Sequence, residues 1–259
     1  MMKQVLATGL AVALWAGAAS AAEADLAKIE ACMRANIPQT LQIKEVELVA
    51  VDRGGGTRSL SGRFYGSRED EQLRTMVKIS APADLAGAAY LLRERKSGDE
   101  MYVYVPALNK VRRVTGAGVD GALWGTDLSY GDVKQINNAF SGGKTRLMGA
   151  GTLKGRPTWQ LQLIPDPAQA SRFSSVQAWV DQKTCVTLQA EFMEGSTARK
   201  RLSIEPKDLK QSGGHWYPAA ALMTDLKENT QTRLKVVGVS SGVDLAGRLF
   251  NPSTFYVGN

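Results

Sequence analysis

Met101 to Asn137 reads MYVYVPALNKVRRVTGAGVDGALWGTDLSYGDVKQIN, and the changes of pattern along it decide the fold. Met101, Val103 and Val105 alternate with Tyr102 and Tyr104, the two-residue period of a strand with two different faces. Pro106 has no N–H for a ladder and ends the strand. Asn109 and Lys110 fall at the turn, and Val111-Arg112-Arg113-Val114 starts a return strand. A glycine-rich loop follows, with Gly116, Gly118 and Gly121, and leads to Leu123-Trp124-Gly125. Ser129 and Asp132 have the spacing of a capping box, and Leu128 and Val133 that of a hydrophobic staple. The stretch is therefore hairpin, mobile flap carrying a tryptophan, then short helix.

Outward from it the strand period continues in both directions. Upstream it appears in Val46–Val51, Leu60–Tyr65, Leu73–Ile79 and Tyr90–Arg95. Downstream it appears in Thr145–Met148, Trp159–Leu163, Val176–Val180, Val186–Phe192, Leu202–Ile204, Trp216–Asp225 and Thr232–Val239. Short Gly, Pro, Asn and Asp turns join these runs, so a mainly β antiparallel meander of about eleven strands is expected. Such a sheet must close or cover its edges. With few helices available, an open, curved sheet under a helical lid fits better than a layered α/β fold.

The N-terminus differs. Lys3 precedes an apolar run, Val5–Ala18, and Ala19-Ser20-Ala21 has the A-x-A form of a cleavage site. About fourteen residues is too short for a spanning helix, so Met1–Ala21 reads as a signal peptide. Residues 22–259 then form one exported domain. Cys32 and Cys185 are the two cysteines; in an oxidising compartment they suggest a disulfide, the alternative being two buried free thiols. Glu23–Ala35 has helical spacing in Leu26, Ile29 and Met33 and stops before Pro38.

The residues Tyr104, Pro106, Ala107, Leu108, Val111, Arg112, Arg113 and Val114, then Gly125, Asp127, Tyr130 and Asp132, resemble a signature of the periplasmic outer-membrane lipoprotein-sorting-like proteins, the LolA-like superfamily. The resemblance implies an unclosed antiparallel half-barrel of LolA/LolB type, with helices across an apolar concave face. It also implies carrying or sensing lipid in the periplasm, in association with a resistance-nodulation-division (RND) transporter or an outer-membrane acceptor.

On that reading, Leu60, Phe64, Val77, Met101, Val103, Trp159, Leu161, Phe192 and Leu234 should line a dry cavity for acyl chains, with Trp124 closing over it. For each of these residues ordinary core filling is the plainer role. Arg112 and Arg113 are expected to pair with Asp127 or Asp132 and fasten the flap. Nothing points to an enzyme. His215 is the single histidine, in a Gly-Gly-His-Trp turn, and no G-x-S-x-G, H-E-x-x-H or P-loop occurs. No cofactor or metal is expected; two cysteines and one histidine make a poor zinc site. The net charge of +7 favours anionic lipid or an acidic partner. No nucleic-acid module is present, and a monomer is expected. Two readings lead, a lipid or lipoprotein carrier and a sensor or adaptor that binds a membrane protein through its sheet edge; a third, a hydrolase using His215, would need loss of a test activity in His215→Ala to support it. A packed interior would favour the second.

Overall fold

The computed structural model describes residues 14–137, 140–167, 171–244 and 247–257. Helix α1 spans Leu14–Ala35. It begins earlier than Glu23, inside the stretch read as leader, because the alanine-rich run there favours helix and nothing interrupts it. Residues 1–13 of that leader lie outside the described residues.

Two meanders follow. The first comprises β1 (Leu41–Val51), β2 (Thr57–Glu69), β3 (Gln72–Ala81), β4 (Ala89–Arg93), β5 (Glu100–Val105) and β6 (Lys110–Val114). The second comprises β7 (Gly143–Leu153), β8 (Arg156–Pro165), β9 (Ser175–Asp181), β10 (Thr187–Glu194) and β11 (Thr197–Ser203). A small hairpin, β12 (Leu209–Ser212) with β13 (His215–Pro218), stands apart before β14 (Ala220–Asp225) and β15 (Thr230–Gly242) rejoin the sheet. Thirteen strands form one sheet in the order β6-β5-β4-β3-β2-β1-β15-β14-β11-β10-β9-β8-β7. This is the expected open half-barrel with more strands than about eleven. Trp216–Asp225 divides at Pro218, which pairs with Leu209 in the hairpin while Ala220 pairs with Lys235. The polar strand β12 has no alternation to reveal it.

The order has a direct consequence. Strand β15 joins the meanders by pairing with β1 along its length, so β6 and β7 are the free edges. The segment that follows β6, residues 115–137, crosses the open mouth, packing Leu123, Leu128 and Val133 on the concave core.

Alternation sets the faces. On β3, Leu73, Val77 and Ile79 point to the concave side and are 1% exposed or less. Strand β4 is apolar on both faces: Tyr90 and Leu92 join the concave core, while Ala89 and Leu91 join a second cluster on the convex side. That cluster contains Leu249 and Phe255, so the C-terminal segment covers the outside of the sheet. Each fully buried leucine or phenylalanine contributes about 1.5–3 kcal/mol. On the concave side α1 supplies Ile29 and Met33, and the flap supplies Leu123, Leu128 and Val133.

Candidate functional site

The site is the cover over the concave face and the cleft beside it. Its local geometry follows from the flap sequence. Ala122 and Ser129 form a single β-bridge, and the Leu123 N–H donates to the Leu128 carbonyl at 2.7 Å. Trp124 and Gly125 turn the chain with φ of 52° and 75°, a conformation that glycine tolerates and tryptophan rarely adopts. The indole is half-buried against the core. Ser129 and Asp132 form the capping box: the Ser129 N–H donates to the Asp132 carboxylate at 2.7 Å, and the Asp132 N–H donates to Ser129 Oγ at 3.2 Å. Helix α2, Asp132–Ile136, starts there.

Polar anchors then tie the flap to both meanders. The Asp127 N–H donates to Thr232 Oγ1 at 2.9 Å, and the Asp127 carboxylate accepts from the hydroxyls of Thr230 and Thr232 on β15. Asp132 pairs with Lys200 of β11, both buried, and the Lys200 ammonium lies 5.5 Å from the centre of the Phe192 ring. Lys134, two residues along α2, reaches the other meander, at 2.8 Å from Asp99 and 3.6 Å from Glu94. The expected pairing of Arg112 and Arg113 with these aspartates is corrected. Both arginines are exposed on edge strand β6, and neither pairs with Asp127 or Asp132. Buried cations and hydroxyls from strands facing the flap take that role.

Glu94, just past the end of β4, collects the cover. Its carboxylate accepts from Arg34 of α1 at 3.1 and 3.3 Å, from the Leu73 N–H at 2.9 Å, and from Ser141 beyond α2. Burial alone would raise its pKa, but the Arg34 hydrogen bonds, the Lys134 charge and the Ser141 and Leu73 donors outweigh it and hold it at about 2. Nearby, the Tyr90 hydroxyl donates to the Tyr130 carbonyl at 2.8 Å, and burial holds the Tyr90 phenol well above its usual range.

Helix α1 is held differently on its other side. Cys32 and Cys185 are bonded, and Asn36 Nδ2 donates to the Thr184 carbonyl at 2.8 Å. His215 Nδ1 lies 2.8 Å from the Ala35 carbonyl, at the electron-rich end of the helix. This lone histidine serves a helix end. Among the described residues no three His, Cys, Asp or Glu side chains are grouped to hold a metal. Lys44 lies against Tyr217 of the small hairpin, 5.3 Å from the ring centre, and burial lowers its pKa to about 8.

The concave set is where alternation put it, but it does not frame an empty basin. Leu60, Phe64, Val77, Met101, Val103, Leu161, Phe192 and Leu234 are all buried, and Trp124 and Trp159 are half-buried against the same core. The preformed dry cavity expected from sequence is corrected: α1 and the flap fill the trough. A pocket of about 70 Å³ remains beside Phe173, Val176 and Phe192. The large opening lies to one side, a cleft of about 1030 Å³ between the two sheet edges, reached by Glu94, Asp99, Met101, Val114, Lys134 and Lys144.

Sequence reasoning passed over Glu94, Lys134, Lys200, Thr230 and Thr232. One signal was present for Lys200: it shares the two-residue period of buried Leu202 on β11.

A protein family described as "uncharacterized protein" matches residues 71–255. The fold is similar to a domain from Vibrio parahaemolyticus that is described by resemblance to outer membrane lipoprotein-sorting proteins, with TM-score 0.78, 19% identity and coverage of 88% of this chain and 97% of that one. A DUF1329 family protein from Desulfovibrio piger gives TM-score 0.78, 21% identity and coverage of 90% and 98%. A LolA superfamily protein from Nitrosomonas europaea gives 0.68, 18% identity and coverage of 87% and 96%. No curated protein matches the chain.

Proposed function

Since this chain belongs to the family of uncharacterized proteins that matches residues 71–255 and has the LolA-superfamily fold, we propose that it is a carrier, binding the acyl chains of a lipid or lipidated protein against its concave face. The observation that carries this reading is the construction of the cover. An apolar trough is roofed by two segments that meet the first meander through apolar packing and through ion pairs, Arg34 and Lys134 to Glu94 and Asp99. Contacts of that kind can be exchanged, whereas the disulfide holds α1 to the second meander. The cover therefore lifts from the first meander and from β15, where the hydroxyls of Thr230 and Thr232 hold Asp127, and exposes Leu60, Phe64, Val77, Met101, Val103, Trp159, Leu161, Phe192 and Leu234, with Trp124 travelling on the flap. Each methylene then buried contributes roughly 0.8 kcal/mol.

The carrier acts by binding and transfer, without turnover. Residues 22–259 form its single lipid-binding domain, working in the periplasm as a monomer after cleavage near Ala21. Its partners are an inner-membrane RND-type transporter or an outer-membrane acceptor, a reading that rests on the sequence resemblance.

The adaptor reading has its own observation: the packed trough together with two unpaired edge strands, β6 and β7, to which a partner strand can add. Native mass spectrometry of freshly exported protein separates the two. Copurified acyl lipid is the carrier result. Lipid-free protein holding a polypeptide partner would replace it with the adaptor.

A further inference from the structure

We propose that the cleft between the sheet edges receives the anionic headgroup of an amphiphile, phosphate or carboxylate, while its tail passes beneath the flap toward Phe192. This inference rests on the carrier reading and names the class of its ligand.

Two observations carry it. The first is continuity. The cleft of about 1030 Å³ and the inner pocket of about 70 Å³ share Asp99, Met101, Val119, Lys134, Ser141 and Pro165 as walls. Past that shared wall Asp120, Asp132 and Ser171 line one part of the inner pocket, Asp132 paired with Lys200 and Asp120 accepting from the Arg172 N–H, and the rest is apolar, with Leu163, Phe173, Val176 and Phe192. A polar chamber opening onto an aromatic and aliphatic floor matches a molecule with a charged head and a hydrocarbon tail.

The second is which charges are already engaged. The carboxylates around the cleft have partners: Glu71 pairs with Arg68, Glu94 with Arg34 and Lys134, and Asp99 with Lys134, and Asp166 is engaged as well. Arg95 is paired with Glu100. Two cations lining the cleft, Lys96 and Lys144, make no ion pair among the described residues. Lys96 comes from the turn before β5 and Lys144 from the start of β7, so they approach from the two meanders. The unspent charge of the cleft is positive and belongs to both halves of the open sheet. An anionic head held by both lysines would sit across the gap, with its tail aimed inward.

The test is displacement of an uncharged fluorescent acyl probe from the full chain at neutral pH. Three competitors are used below micelle-forming concentration: dodecyl phosphate, dodecanol and inorganic phosphate. Dodecyl phosphate should compete about tenfold more strongly than dodecanol, the scale of two partly exposed ion pairs, and inorganic phosphate should not displace the probe. In Lys96→Gln/Lys144→Gln, with its denaturation midpoint checked against wild type, the ratio should fall to near one. Equal competition by dodecyl phosphate and dodecanol in wild type overturns the headgroup site, as does a preference that survives in the double variant. Inorganic phosphate matching dodecyl phosphate also overturns it, by showing a free-anion site. If the probe does not bind wild type at all, the carrier reading itself fails, and the headgroup site falls with it.

Discussion

Lys200 on β11 places its ammonium on the carboxylate of Asp132 at the start of α2, and both side chains are almost wholly buried, at 4% and 2% exposure. A residue of the second meander thus holds the helix whose Lys134 holds the first. Lys200→Met would leave the Asp132 charge buried without its cation and should cost about 3–5 kcal/mol. Adding Asp132→Asn, which keeps an oxygen for the capping box, should recover most of that loss. Urea unfolding of the two variants checks it; equal destabilisation of single and double variants would contradict the pairing.

Glu94 gives the fold a pH dependence of known sign. Its carboxyl is held at about 2, from an ordinary 4.5, so its contribution is fully present above about 4.5 and is lost as pH falls from there toward about 2. The unfolded chain binds the extra proton in that window, so stability falls with it. The contribution is about 2–3 kcal/mol at neutral pH. Glu94→Gln should be less stable at pH 7, and its stability should vary less between pH 5 and pH 3. Parallel pH profiles for wild type and variant would exclude Glu94 as the collecting point of the cover.

Lys44 acts in the opposite sense. Its pKa is lowered from 10.5 to about 8 by burial, so its charge burdens the fold below about 8 and is relieved as pH rises toward 10.5. Lys44→Met should stabilise the protein by about 1–2 kcal/mol at pH 7, after loss of the contact with Tyr217. The gain should shrink above pH 10. Thermal unfolding at the two pH values measures it.

The pattern of residues carried the sheet further than the site. On β3 and β5 alternation indicated which side chains face inward, and that assignment stands for Val77, Met101 and Val103, which are buried. The Ser129–Asp132 box and the partnership of Cys32 with Cys185 were also legible, one because it is local and the other because no third cysteine competes. The anchors were not. Asp132 and Lys200 lie 68 positions apart, and only the strand order brings them together; nearness in sequence favoured Arg112 and Arg113 instead. The filled trough was illegible for a different reason. Alternation says which way a side chain points, but not how much volume α1 and the flap place above it.

The disulfide should matter most to the seating of α1. Its cysteines are 153 residues apart, and closing so long a loop contributes about 3–5 kcal/mol on the chain-entropy account. Cys32→Ser/Cys185→Ser should lower the denaturation midpoint accordingly, and thiol titration of the denatured, unreduced wild type should find no free thiol. Two free thiols there would contradict the bond.

The central claim is that the cover must lift for the concave face to bind acyl chains, and a lock on the flap tests it most directly. Asp127 and Thr232 are already in contact, backbone N–H to hydroxyl at 2.9 Å, so Asp127→Cys/Thr232→Cys can fasten the flap to β15. Binding of a fluorescent fatty-acyl probe is measured for the oxidised and reduced variant, with wild type treated identically. Loss of binding when oxidised, and its return on reduction to the level of reduced wild type, is the result predicted. Probe binding by the oxidised variant as strong as that of wild type would show that the cover need not move, and would contradict the account.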